Sequence, residues 1–408
     1  MGCVYLAAVL PARAARAQAG DLSVGALYPL TGAAAAFGIQ QSNGLKLAAQ
    51  FVNQEGGVKG RQVKFIFGDA TNNATAVAGA ERLVQSGVPM IFGTASSGLS
   101  LAASPVAERA GIVYVETGAL NAALTSRGFK HYFRTRANND IFARRSIAIT
   151  KEVIAPKLGK QPAQMTAVVL HEDGPFGTEL GKFVPDAAKE LGGPRILAVN
   201  GYNIAETKNF TPLILRYQSL KPDVIYWAAY TSDAILFWRQ AKERGYTPPS
   251  TVAYTSGPGT PDFLKAMGPE GSNGVLVLDV PLRINPAGMK PEAGALLTRF
   301  EKAYKEAYPD QPLTGNAVVG FVGGWIVLKY VLPQAAEFTP AGIRAALQKT
   351  DVPEGTLPTG WGAKFDEHGQ NVRAFPIGLE WQSGELVPVW PKTFARADAK
   401  HLPLAGSK

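Results

Sequence analysis

The chain has 408 residues, of which 46% are hydrophobic and 18% are charged, and its formal net charge is +9. This composition excludes an intrinsically disordered or membrane-embedded chain, and the length predicts two domains rather than one. The basic residues are scattered without a Lys/Arg-rich run, so the positive charge does not indicate nucleic-acid binding.

The N-terminus is typical of an export signal. Residues 4–10 form a short apolar stretch, and the sequence Ala-Gln-Ala at 17–19 is a small-residue cleavage pattern. We therefore expect a signal peptide over residues 1–19 and a periplasmic mature protein. The single cysteine, Cys3, lies within that peptide, so the mature chain would have neither a disulfide nor a thiolate site.

Strand and helix patterns then alternate along the chain. The predicted strands cover residues 21–28, 63–67, 90–92 and 112–115, and the predicted helices cover residues 40–54, 74–86 and 99–110. Strands that alternate with helices of this length predict βαβ units on a parallel sheet.

The alternation begins again after residue 136. Strands are predicted at 165–170, 196–199, 223–228 and 252–254, and helices at 141–158, 177–191, 210–220 and 233–244. Two longer helices, 296–308 and 315–332, and a hairpin over 375–389 follow. Two consecutive wound sheets predict two similar lobes, and the loops at the carboxyl ends of their strands are the expected ligand site.

The sequence contains no recognisable catalytic or metal-binding motif. The four histidines lack metal-ligand spacing: His131, His171, His368 and His401. Residues 94–98 resemble a nucleophile elbow, but Thr94 stands where that motif requires Gly. No phosphate-binding Gly-rich motif occurs. We expect no cofactor, no metal and no enzymatic activity; the enzyme alternative would use Ser96 or Ser97 as its nucleophile.

Several motifs resemble the branched-chain-amino-acid-binding family of periplasmic solute-binding proteins. They lie at residues 27–32, 37–38, 53–60, 96–97, 124–128, 133–135, 174–177 and 365–369. Their order and spacing extend the resemblance over residues 21–395. It implies a type I periplasmic binding protein, an α/β fold with two doubly wound parallel-sheet lobes joined by a three-crossing hinge. It also implies a monomer that delivers its ligand to the permease subunits of an ABC transporter.

The resemblance also implies the domain boundaries. Lobe one would comprise residues 21–137 plus 283–354, lobe two 138–282 plus 355–395, and a C-terminal tail 396–408. Closure of the two lobes around the ligand is the expected motion.

The resemblance places the ligand carboxylate on Ser97, beside Ser96, and on backbone amides near Gly118 and Leu120. A hydroxyl and free N–H groups form a reasonable anion site; the alternative for Ser97 is a helix N-cap. The ammonium half of the family site differs, with Leu120 in place of a threonine and Ser256 in place of a glutamate. Because an unpaired buried ammonium is costly, we expect a ligand without one.

Aromatic residues make up the remaining predicted lining. Phe37, Phe176 and Tyr230 occupy positions where the family contacts its ligand, and Trp227 and Tyr254 face either the ligand or the lobe core. Aromatic faces favour a flat ligand. The sequence thus predicts a small organic carboxylate with an apolar or aromatic body. The alternatives are a binder of branched-chain or other amino acids, or a cytosolic carboxylate or amide sensor of the same fold.

Overall fold

The computed structural model describes residues 20–32, 34–255 and 257–407. The predicted signal peptide and Ser256 therefore lie outside the described residues. Within them, two open α/β sheets are connected by chain segments that pass from one to the other.

The first sheet is built from the N-terminal βαβ units. Its strands are β1 (Leu22–Tyr28), β2 (Val63–Asp69), β3 (Met90–Gly93), β4 (Val113–Glu116) and β5 (Tyr132–Arg134). The helices between them are α1 (Ala35–Gln54), α2 (Asn73–Gln85), α3 (Ser97–Arg109) and α4 (Ala123–Ser126). All five strands are parallel, in the order β2-β1-β3-β4-β5. The predicted alternation is confirmed here, although β5 was not predicted.

The second sheet has seven strands. Its parallel part contains β6 (Thr166–Glu172), β7 (Arg195–Tyr202), β8 (Val224–Ala228), β9 (Ser250–Tyr254) and β10 (Leu276–Asp279). Its helices are α5 (Asn139–Ile149), extended by a π-helical turn (Thr150–Ile154) and α6 (Ala155–Lys157), then α7 (Pro175–Glu190), α8 (Thr211–Leu220), α9 (Thr231–Glu243) and α10 (Pro261–Ser272).

The last third of the chain adds helices, a small separate ladder and two strands of the second sheet. Its elements are α11 (Pro291–Ala307), α12 (Gly315–Trp325), α13 (Pro340–Lys349), a small ladder of β11 (Asp351–Val352) and β12 (Ala363–Lys364), and the hairpin β13 (Ile377–Gln382) and β14 (Glu385–Trp390). The hairpin joins antiparallel to β10, giving the order β14-β13-β10-β9-β8-β6-β7. The chain thus crosses between the lobes after β5, after β10 and after α13.

Helix α12 returns to the first lobe and packs on α1. A Cβ at Gly44 would lie 2.0 Å from the carbonyl oxygen of Ala317, and one at Gly320 would lie 2.0 Å from that of Gln41. Only glycine permits this approach. The helical stretch Gly315–Gln334 is apolar enough to span a membrane by length and composition, but 83% of its most apolar window is buried. Among the described residues it is a core helix of the first lobe.

Candidate functional site

A cavity lies where the loops of the two lobes meet. Its outer part has a volume of about 530 Å³ and its inner part about 30 Å³. Ala95, Ser96, Tyr230 and Asn316 line both parts, so the two adjoin. The position agrees with the rule that open α/β sheets bind ligands at the carboxyl ends of their strands.

The loop after β3 provides two of the predicted serines. Ser96 is the N-cap of α3, and its side chain accepts a hydrogen bond from the N–H of Leu99 at 3.4 Å. Ser97 is the first residue of the helix and lines the inner part of the cavity. Its Oγ accepts hydrogen bonds from the N–H groups of Leu120 at 3.3 Å and Asn121 at 3.2 Å. The N-cap role therefore belongs to Ser96, and the hydroxyl proton of Ser97 is its remaining donor.

The predicted backbone amides after β4 are already engaged within the chain. The N–H of Gly118 donates to the Glu116 carboxylate at 2.7 Å, as does that of Ala119 at 2.8 Å and that of Thr94 at 2.8 Å. Burial raises the pKa of Glu116, and these backbone donors oppose the rise. Since the Leu120 N–H is held by Ser97, both predicted amides already donate to side chains of the protein. Sequence reasoning missed Glu116.

The loops after β3 and β4 are in close contact. A Cβ at Gly118 would lie 2.5 Å from the Cα of Ala95, so this position requires glycine. Ala95 itself has a φ of 92°, in the region that L side chains rarely adopt. Strained backbone of this kind clusters at binding sites.

Three of the predicted aromatic residues come together across the cleft. Phe37 lies on α1 of the first lobe, Phe176 on α7 of the second, and Tyr230 directly before α9. The Tyr230 ring centroid is 6.1 Å from that of Phe37 and 5.9 Å from that of Phe176. Tyr230 and Phe37 line the outer part of the cavity, and Tyr230 and Phe176 the inner part.

Trp227 and Tyr254 do not belong to this wall. Trp227 is fully buried and stacks on Trp238 at 5.7 Å between ring centroids, and Tyr254 is fully buried with its hydroxyl 2.9 Å from the Oγ of Ser146. Both faces of a doubly wound parallel sheet are covered by helices, so side chains in mid-strand point into a core. The two residues stabilise the second lobe.

A buried arginine that the sequence analysis overlooked, Arg136, lines the inner part of the cavity. It lies on the first crossing between the lobes and is 5% exposed. Its Nη1 donates to the carbonyl of Gly118 at 3.0 Å, and its Nη2 is 3.9 Å from Oδ1 of Asp279. Burial lowers the pKa of Arg136 to about 10, against the opposing charge of Asp279, so the side chain is cationic at neutral pH.

The neighbouring Arg134 has a different role. It is completely buried, and its Nε donates to Oε1 of Gln370 at 2.7 Å and its Nη1 to the carbonyl of Asn121 at 2.6 Å. The bond to Gln370 ties the first crossing to the third, and the bond to Asn121 ties it to the loop after β4. The position of Arg136, directly after the 133–135 motif at a lobe crossing, is the sequence signal that could have identified it.

No group of three or more His, Cys, Asp or Glu that could hold a metal ion occurs among the residues that the structure describes.

Comparison with known sequences gives one family. The model of the family described as "Periplasmic binding protein" matches residues 21–384. The chain is 35% identical over 393 residues to Leu/Ile/Val-binding protein homolog 8 of Brucella suis biovar 1 (strain 1330). That alignment covers 96% of each of the two chains. It is 34% identical over 394 residues to homolog 7 of the same strain, covering 96% of this chain and 97% of that relative.

Solved structures share the fold at lower identity. The leucine-binding protein LivK of Thermotoga maritima MSB8 aligns with a TM-score of 0.75 at 22% identity, covering 90% of this chain and 97% of that one. The branched-chain amino acid transporter substrate-binding protein LivJ of Streptococcus pneumoniae, solved with isoleucine, aligns with a TM-score of 0.74 at 22% identity and the same coverage. A periplasmic binding protein type 1 of Bordetella pertussis Tohama I gives 0.75 at 19% identity, covering 90% and 100%.

Proposed function

The chain belongs to the periplasmic binding protein family, and on that premise we propose a specific ligand class for it. It is a substrate-binding protein of an ABC transporter. We propose that it binds a small organic carboxylate with an apolar or aromatic body and without an α-ammonium group, and that it acts as a monomer.

The main support for this proposal is the charge of the side chains that line the inner part of the cavity. Among the described residues that line it, Arg136 is cationic, Ser97 offers a hydroxyl proton, and no side chain is a carboxylate. A buried charged group needs a partner of opposite sign. Asp279 is 3.9 Å from Nη2 of Arg136 but is not one of the lining residues, so a ligand carboxylate would meet the cation directly, whereas an ammonium group would meet a charge of its own sign.

The residues that line the outer part of the cavity favour a ligand with an apolar body. Phe37 and Tyr230 form one wall, and Ile204 and Ile235 add aliphatic surface. Asp262 is also part of the lining, on α10 of the second lobe. A volume of about 530 Å³ lies in the range of small-molecule sites, which are mostly apolar with a few placed polar groups.

A branched-chain amino acid is the second candidate. The relatives' names favour it, because the Brucella suis proteins are named as Leu/Ile/Val-binding homologues. The residues at the site disfavour it, because Leu120 offers no hydroxyl to an ammonium group and the inner lining offers no acid.

The proposed location is periplasmic, with cleavage after Ala19. N-terminal sequencing of the protein recovered from periplasmic extract should begin at Gly20. An uncleaved chain found only in cytoplasmic extract would instead favour the sensor alternative.

A thermal-shift screen of the mature chain tests the ligand class. The library should contain aliphatic and aromatic carboxylates, their neutral amides and the amino acids. A ligand at 100 times its Kd stabilises by about 2.7 kcal/mol, which raises Tm by a few degrees in a chain of this size. Hits among carboxylates that lack an amine support the proposal, and hits confined to amino acids contradict it.

A further inference from the structure

The guanidinium of Arg136 is incompletely satisfied although it is buried. Its Nε and Nη2 have no hydrogen-bond partner among the described residues. The 3.9 Å separation between Nη2 and Oδ1 of Asp279 is an ion-pair contact, too long for a hydrogen bond. Buried donors without an acceptor raise the free energy of the site, so an acceptor that supplied both bonds would be strongly favoured.

The two unsatisfied groups are the pair that carboxylates use. In a guanidinium, the N–H of Nε and one N–H of Nη2 point in parallel on the same edge, and a carboxylate accepts both in a bidentate pair. The third nitrogen, Nη1, already donates to the carbonyl of Gly118. The chain therefore fixes one end of the guanidinium and leaves Nε and Nη2, the fork, without an acceptor, in a side chain that lines the inner part of the cavity.

The surroundings hold this fork in place. The backbone carbonyl of Arg136 accepts a hydrogen bond from Nε2 of Gln370 at 2.7 Å, which ties it to the third crossing. Its Cζ lies 5.7 Å from the ring centroid of Phe142 on α5. Asp279, at the end of β10, provides the counter-charge, and the N–H of Val280 holds its Oδ1 at 2.7 Å. A receptor whose rotamer is fixed before binding loses little entropy on binding.

The amides that the family resemblance assigned to the carboxylate cannot take that role here without giving up existing bonds. The N–H of Gly118 is held by Glu116 and that of Leu120 by Ser97. Arg136 is therefore the free charged donor among the described residues that line the inner cavity.

We infer that Arg136 is the specificity-determining receptor for the ligand's carboxylate, binding it side-on through Nε and Nη2. This inference rests on the proposed function and assigns the carboxylate partner within it. The ligand then lies with its carboxylate at the inner end of the cavity and its apolar body in the outer part. Because Arg136 contacts Gly118 of the first lobe and Asp279 of the second, the ligand charge is recognised at the crossing that joins them.

Calorimetric titration of the mature chain and its Arg136→Gln and Arg136→Lys variants tests this assignment. The probes are benzoate, 3-phenylpropanoate, 4-methylpentanoate and L-leucine, with the neutral amides of the three acids and inorganic phosphate. For any carboxylate that the wild type binds, R136Q should weaken binding by about 100-fold or more, because two charge-assisted hydrogen bonds are lost. R136K keeps the charge but not the fork, and should weaken binding by about tenfold.

Arg145→Gln is the matched control. Arg145 is also largely buried, its Nη2 also lacks a hydrogen-bond partner among the described residues, and burial also lowers its pKa to about 10. It lines a different cavity, with Phe375 and Phe394. R145Q should therefore leave the affinity unchanged. Thermal unfolding of all variants identifies any that fail to fold, and for those the ¹⁵N-arginine Nε–H spectrum of the wild type is read instead. A bound carboxylate should shift one Nε–H resonance that is still present in R145Q, and the absence of any such shift would contradict the assignment.

The outcomes separate the two claims. If the wild type binds carboxylates but not amides and R136Q binds them equally well, the Arg136 assignment is overturned while the proposed function stands. If L-leucine binds most tightly and R136Q loses it, Arg136 is the carboxylate receptor and the proposed ligand class is wrong. Tighter binding of phosphate than of every carboxylate, or no binding of any carboxylate, overturns both.

Discussion

The affinity for a carboxylate should depend on pH through Asp279. Burial raises the pKa of this carboxyl to about 6, against the opposing effects of Arg136 and the Val280 N–H. A ligand carboxylate on the fork of Arg136 would lie roughly 6 Å from Asp279, where two negative charges repel by about 3 kcal/mol at an effective dielectric constant of about 20. That repulsion would raise the pKa of Asp279 in the complex by about two units.

The direction of the effect follows from these two pKa values. Below about pH 6 Asp279 is neutral in the free and the bound protein, and the affinity is highest. Above about pH 8 it is charged in both, and the affinity is lowest. Between these limits binding takes up a proton, so the affinity falls as the pH rises, by up to about 100-fold. Arg136, with its pKa of about 10, stays charged through this window.

Titration calorimetry from pH 6 to pH 8.5, in two buffers of different ionisation enthalpy, measures both the affinity and the proton uptake. Simple carboxylic acids remain ionised over this range. Asp279→Asn removes the titrating group and should bind with an affinity that no longer changes with pH. An affinity that is equal at pH 6 and pH 8 in the wild type, or an equal slope in D279N, would refute the reasoning.

The other predictions concern packing around the site. Gly118→Ala should lower both Tm and affinity, because its Cβ would meet Ala95 at 2.5 Å; Gly271→Ala, with only an ordinary 3.5 Å contact, should change neither. Tyr254→Phe loses a buried hydrogen bond, so the free energy of unfolding should fall by about 1 kcal/mol with Kd unchanged in calorimetry. Tyr230→Ala should weaken ligand binding roughly tenfold or more, measured the same way, because it removes the ring shared by both parts of the cavity. Loss of affinity in the Tyr254 variant, or none in the Tyr230 variant, would contradict the placement of these rings.

The periodicity of the sequence predicts the lobes well because most strands and helices carry a clear local pattern. The short strands β5 and β10 were not predicted, and β5, with three residues, is too short to show an alternating pattern. Helix α1 begins at Ala35, five residues before the predicted start at residue 40. The predicted lobe boundaries stay a prediction.

The sequence predicts several of the residues that line the cavity, and their role in ligand binding stays a prediction. Phe37, Phe176 and Tyr230 converge as the resemblance implied, because loop position along wound sheets follows from strand order. The orientation of Trp227 and Tyr254 could not be predicted, since both faces of a parallel sheet are apolar and alternation gives no preferred face.

The charged part of the site depends on long-range contacts. Glu116 occupies the amides of its own loop, and Arg136 meets Asp279 only because the first and second crossings adjoin. The spacing of these residues along the sequence predicts neither the hydrogen bonds of Glu116 nor the contact between Arg136 and Asp279. The family pattern assigned the carboxylate to backbone amides, whereas the structure leaves a guanidinium fork as the unsatisfied donor.

One comparison tests the central claim most directly: calorimetric titration of the mature chain at pH 6.5 with 4-methylpentanoate and with L-leucine, which differ only in the α-ammonium group. We predict that 4-methylpentanoate binds and that L-leucine binds at least about 100-fold more weakly, since its ammonium would be buried without a partner. Tighter binding of L-leucine would contradict the proposed ligand class and would place this chain with the amino-acid binders of its family.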